Sequence, residues 1–266
     1  MNWIQGSFRT CSFELRRSLT NQRIAVSAVM VLFPSVILGL VHAAPGVQGE
    51  MPVEVSQMLI LLLVGLVTIL SLLLWATPNV HSELEGKSWV FIASRPGGRV
   101  SNFLGKYFAS VYSSFIVSWA AVTLSVLVVN QVAEVRDPLK LWSVLSIIFL
   151  IACVVYGAIF SMIGTIFYRR GMVIGVAYVL VSDVLVANLP AIIGKLTVRY
   201  HLQSLGIAWM GWLFPGGEEA VRNYNTYFGK PEPWFNLTCL FVMMALCLGV
   251  GTFVIVSRQY ITKDES

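Results

Sequence analysis

Few residues of this chain are of types and spacings that could do chemistry. Gly105-Lys106, in the stretch from Phe103 to Tyr107, has the glycine–lysine pair of a phosphate-binding loop. That loop also needs a glycine five residues before the pair and a Ser or Thr after the lysine, to wrap phosphates in backbone N–H groups and to reach magnesium. Position 100 is Val and position 107 is Tyr, so the chain carries no recognisable nucleotide site. No H-E-x-x-H, G-x-S-x-G or aspartate pair within one apolar run occurs. His42, His81 and His201 lie on different loops, a poor start for a shared metal. Asn236-Leu237-Thr238 fits a glycosylation triplet but abuts an apolar run, and is read as a chance match. The four cysteines, Cys11, Cys153, Cys239 and Cys247, form no C-x-x-C, and three lie in apolar runs as small hydrophobes. Two places remain: Asp183, alone in an apolar run, and the charged loop His81–Tyr107.

The elements that must position them follow from composition. The 266 residues are 57% hydrophobic and 12% charged, with a mean hydropathy of +0.77. Soluble domains carry roughly 25% charged residues, so this chain is an integral membrane protein and its length is counted in spans. Crossing the hydrocarbon takes roughly 20 apolar residues as a helix. Six segments qualify: Ile24–Val41, Val55–Ala76, Tyr107–Val129, Leu141–Tyr168, Met172–Ile193 and Trp234–Val256. The fold class is therefore all-α: residues 24–256 form a six-span bundle, preceded by residues 1–23 and followed by a tail, 257–266. A seventh apolar piece, Leu202–Phe214, is short and suits a re-entrant or interfacial helix.

Before the first span, Ile4, Phe8, Cys11, Leu15 and Leu19 recur at helical steps, with Arg9, Arg16, Arg17 and Arg23 mostly elsewhere around the helix. This is a basic amphipathic helix suited to the headgroup plane. Of the 18 Lys and Arg residues, the side shared by both termini holds Arg9, Arg16, Arg17, Arg23, Lys87, Arg95, Arg99, Lys106, Arg169, Arg170, Arg258 and Lys263. The other side holds Arg136, Lys140, Lys195, Arg199, Arg222 and Lys230. The excess places both termini and the loop His81–Lys106 in the cytoplasm, with Val41–Glu54 and Lys195–Pro233 outside. A competing parse makes Arg16-Arg17, the first apolar run and Val41–Ala44 a signal peptide. Its charged region and apolar core are both longer than such peptides have.

Asp183 lies 11 residues past Met172, roughly 16 Å at about 1.5 Å per residue, near mid-membrane. A charged Asp facing lipid there costs roughly 2.5–3.5 kcal/mol, so it faces protein or a wet cavity. With Asn188 and Pro190 beyond it, it is either a polar point on a path or a packing hydrogen bond between helices. In the loop, Pro78 ends the apolar part of a span, and Ser82 to Glu85 fits a helix start. Lys87–Ser94 reads as a short helix carrying Trp89, Val90, Phe91 and Ile92. Arg95-Pro96-Gly97-Gly98-Arg99 breaks it, and Ser101–Lys106 restarts a helix into the third span. The result is an elbow with an apolar knuckle, which a membrane surface or a partner protein must cover.

The run Glu83-x-Glu85-Gly86-Lys87-Ser88, then Ser94-Arg95-Pro96, then Gly105-Lys106, resembles the loop between the second and third spans of type-two ABC exporter permeases. Six spans, cytoplasmic termini, an amphipathic first helix and a helical element before the last span are also similar to that family. Lys87 departs from it, standing where threonine is frequent. The resemblance implies a coupling helix seated in a groove of a separate ABC ATPase subunit. Trp89, Phe91 and Ile92 would form the knob, and Glu83, Glu85, Arg95 and Arg99 its contacts or struts. It further implies that ATP and magnesium belong to that partner, that a second permease copy or a paralogue completes the path, and that the chain sits in the inner membrane of a prokaryote. Trp209 and Trp212, ahead of Pro215-Gly216-Gly217, are similar to the family's outer gate; an interfacial aromatic belt explains them equally. The alternative function is a membrane scaffold that moves nothing. An intramembrane enzyme lacks a catalytic set, and nothing in the charge pattern points to nucleic acid.

Overall fold

Among the described residues the long apolar runs fold as helices, as backbone groups out of reach of water require. A computed structural model describes residues 3–43, 53–78, 80–85, 89–95, 97–132, 137–186, 195–210 and 232–258. Among these the chain forms α1 (Trp3–Ser18), α2 (Asn21–Ala43), α3 (Val53–Ala76), α4 (His81–Glu85), α5 (Trp89–Ala93), α6 (Gly98–Val132) and α7 (Pro138–Ile166). After these come α8 (Gly171–Val179) with a π-helical continuation (Leu180–Leu185), then α9 (Val198–Met210) and α10 (Pro233–Ser257). No strand occurs among the described residues.

Helix ends follow local chemistry. Pro138 and Pro233 open α7 and α10 from the first-turn positions, where a missing N–H costs nothing. Gly97 sits at φ 71°, a conformation that favours glycine, and turns the chain from α5 into α6. The third-span helix therefore restarts at Gly98 rather than Ser101. The elbow is two one-turn helices, α4 opening at His81 where the N–H groups of Glu83 and Leu84 meet the Val80 carbonyl. Of the expected helix from Lys87 to Ser94, Trp89–Ala93 is helical, and Lys87 and Ser88 lie outside the described residues.

Among the described residues five helices, α2, α3, α6, α7 and α10, are long and apolar enough to cross a membrane. The run expected as a span over Met172–Ile193 is helical over Gly171–Leu185, too short a stretch to cross by itself, and 187–194 lie outside the described residues. The short apolar element before the last span is α9, beginning at Val198 rather than Leu202. α6 is the hub, with α1, α2, α3 and α7 all packed along it. α7 is central, with 61% of its apolar window buried, against 11% for α2 and 17% for α10, whose outer faces are left for lipid or another chain. Gly164, Gly171 and Gly175 let α7 and α8 close onto α3 at Leu73 and Thr77, so the small-residue spacing in α8 serves packing inside the chain.

Candidate functional site

The elbow is fixed to the bundle by ions and by one aromatic anchor. α6 places Lys106 about two turns from its start, and α4 places Glu83 above it; the Lys106 ammonium meets the Glu83 carboxylate at 2.5 Å. Both side chains are buried, at 4% and 7% exposure, so each charge depends on its partner. Glu14 of α1 approaches the same ammonium at 3.6 Å and Arg17 at 3.8 Å. α1 reaches this position because Gly105 has no side chain: a Cβ there would lie 2.6 Å from Thr10 Cβ and 2.7 Å from the Ser7 carbonyl oxygen. The Gly105-Lys106 pair thus acts as a close approach followed by a tether.

α1 buries Gly6 and Ser7, keeps Thr10 and Glu14 half-buried, and turns Phe8 and Phe13 outward at 77% and 63% exposure. The face that meets protein is the small polar one. Cys11 and Leu15 of the expected apolar stripe are half-buried and Leu19 is exposed.

The knuckle requires a correction. Trp89 does not project: it is 4% exposed and packs with Val80, Phe103 and Ile255, with Leu84 and Tyr168 around them. A large amphipathic ring beside an apolar helix junction is held more strongly by its own chain than by water. Phe91, two residues on and turned away, is 72% exposed. Ile92 is half-buried and Arg95 exposed. Arg99 donates to the Val256 carbonyl at 3.0 Å, closing the last turn of α10, and Arg258 donates to the Ile166 carbonyl at 2.7 Å at the end of α7. Arg99 is thus a strut within the chain. Glu85 ends α4, while Gly86, Lys87 and Pro96 lie outside the described residues.

A second polar centre lies among α7, α9, α10 and the π-helical turn. Asp183 lies in the π-helical turn, where the widened backbone sets it inward; it is 4% exposed. Tyr156 of α7 donates to Asp183 Oδ2 at 2.5 Å and Ser182 to Oδ1 at 3.0 Å, while Arg199 donates to the Asp183 backbone carbonyl at 2.6 Å. Nearby, Asn236 at the start of α10 joins His201 and Ser204 of α9: His201 Nδ1 lies 2.7 Å from Asn236 Oδ1, and Asn236 Nδ2 donates to Ser204 Oγ at 2.9 Å. The Asn236 amide thus bridges the imidazole and the hydroxyl. Asn236 is 3% exposed, which fits a structural role and not a glycan acceptor. Trp209 is half-buried against the bundle core. Asn188 and Trp212 lie outside the described residues.

Sequence reasoning missed Glu14, Tyr156, His201 and Asn236 as partners. Only Glu14 left a signal: Ser7, Thr10 and Glu14 recur at helical steps as a second, polar stripe on α1. No protein-family model matches the chain, and no curated protein matches it.

Proposed function

We propose that the chain is the permease subunit of an ATP-driven transporter of the ABC type-two class, an exporter working as a dimer with itself or a paralogue. A separate ATPase subunit supplies ATP and magnesium chemistry. The observation that carries this reading is the pairing of Trp89, locked into the bundle, with Phe91, held out at 72% exposure on the same one-turn helix. A rigid mount with one protruding aromatic is what transmitting a push from a partner requires. A loop that merely rested on headgroups would have no need of the Glu83–Lys106–Glu14 tether beneath it.

In this reading the chain has six spans, both termini and the elbow face the cytoplasm, and α1 lies in the headgroup plane. Asp183, Trp209, Asn188 and Trp212 belong to the outer half of the path or its gate. The membrane is the inner membrane of a prokaryote. Affinity purification of the full chain in mild detergent tests the assignment. Copurification of a protein with a phosphate-binding loop and ATPase activity supports it. Recovery in a complex without any ATPase favours a scaffold.

A further inference from the structure

A small cleft opens beside the Glu83–Lys106 pair, where α1, α2, α3 and α6 meet. Its volume is about 90 Å³, room for about three waters or one phosphate group. Arg17 from the end of α1, Arg23 from the first turn of α2, Trp75 from the end of α3 and Ser113 from α6 line it, and all four are hydrogen-bond donors. The indole nitrogen of Trp75 is buried and meets no acceptor. The Arg23 guanidinium lies 4.8 Å over the same indole, so two donors converge from one wall. Lys106 also lines the cleft, and Glu14 is the acid on its wall. With Glu83 behind Lys106, three cations stand against two carboxylates, leaving one positive charge in excess.

We propose that this cleft binds the phosphate of an anionic phospholipid headgroup, and that the lipid seals the seam between α1 and the bundle. A phosphate brings the acceptors that Trp75 Nε1 and the two arginines require. The surroundings indicate a lipid as its source. Ile24, Val26 and Val29 of α2 are 51%, 42% and 67% exposed, and Phe8 and Phe13 of α1 are exposed as well, a surface that acyl chains would cover. The cleft also lies at the ends of apolar helices, the depth of headgroups, where basic pockets between helices hold acidic lipids. The inference holds whether the protein is a transporter or a scaffold.

Native mass spectrometry of the delipidated full chain, titrated with phosphatidylglycerol, tests it. One tightly retained lipid per chain is expected. Arg17→Gln and Arg23→Gln should each weaken retention about tenfold, the scale of a charge-assisted hydrogen bond. Trp75→Phe, which keeps a ring beneath Arg23 and removes the N–H, should weaken it severalfold. Arg16→Gln removes the same charge from an exposed position that does not line the cleft, and should retain lipid like the wild type. Arg17 is itself 48% exposed, so its variant should fold even if Arg23→Gln does not. Undiminished retention in Arg17→Gln, or an equal loss in Arg16→Gln, would overturn the site. Thermal stabilisation by inorganic phosphate equal to that by phosphatidylglycerol would overturn the lipid as occupant.

Discussion

At the elbow, full charges are buried against each other: Glu83 on Lys106, with Glu14 behind. Among α7, α9, α10 and the π-helical turn, Asp183 is held by the neutral hydroxyls of Tyr156 and Ser182, and His201 by the amide of Asn236. The first centre ties three separate segments, α1, α4 and α6, of which α4 is a single turn. The second ties helices that already pack over long apolar faces, so hydrogen bonds suffice to set their angles. The ionic centre joins the first helix and the elbow to the bundle, and the hydrogen-bonded centre joins bundle helices to one another.

Breaking the ionic centre should have the largest effect. Lys106→Met leaves the Glu83 carboxylate buried without its partner, and removing one member of a buried pair costs roughly 3–5 kcal/mol. Thermal denaturation in detergent should show a large loss, and the double variant Glu83→Leu with Lys106→Met should regain much of it. A double variant as unstable as the single one would mean the pair does not act as a unit.

Next in size is Phe91→Ala. It should leave folding intact, since the ring is exposed, yet loosen the proposed ATPase partner by roughly 1.5–3 kcal/mol, or about tenfold to over a hundredfold. Trp89→Ala should do the reverse in kind, lowering stability first. Pull-down yield read alongside melting temperature separates the two residues; equal behaviour would erase the distinction between anchor and knob.

In the hydrogen-bonded centre, Asn236→Ala strands the His201 ring and the Ser204 hydroxyl, which should cost about 1–3 kcal/mol. Asp183→Asn should be the mildest change. It offers one carbonyl oxygen where the carboxylate offers two acceptors, so one of the bonds from Tyr156 and Ser182 is lost, about 1 kcal/mol. Transport falling further than stability would place its charge on the path. A well-expressed, fully active variant would leave Asp183 as packing alone.

Much of this architecture is legible along the chain because a membrane helix announces itself by length and apolarity. Val55–Ala76 and Trp234–Val256 differ from α3 and α10 by at most two residues at either end. The break at Pro96-Gly97-Gly98 is equally readable, since φ 71° at Gly97 is a property of one residue. What pattern does not carry is which way a short element faces. Trp89 and Phe91 are both apolar and two residues apart on a five-residue helix, so neither period nor composition distinguishes the buried ring from the exposed one. Partners distant in sequence are similarly silent: Asp183 is 27 residues from Tyr156, and His201 is 35 from Asn236. Glycine's role at 105 depends on α1 crossing there, a tertiary fact.

The most direct measurement is a photo-crosslinker in place of Phe91, activated in intact membranes of cells expressing the full chain. The account predicts a crosslink to a separate protein that carries a phosphate-binding loop, and none from the same group placed at buried Trp89. Crosslinks from position 91 to lipid alone would contradict it.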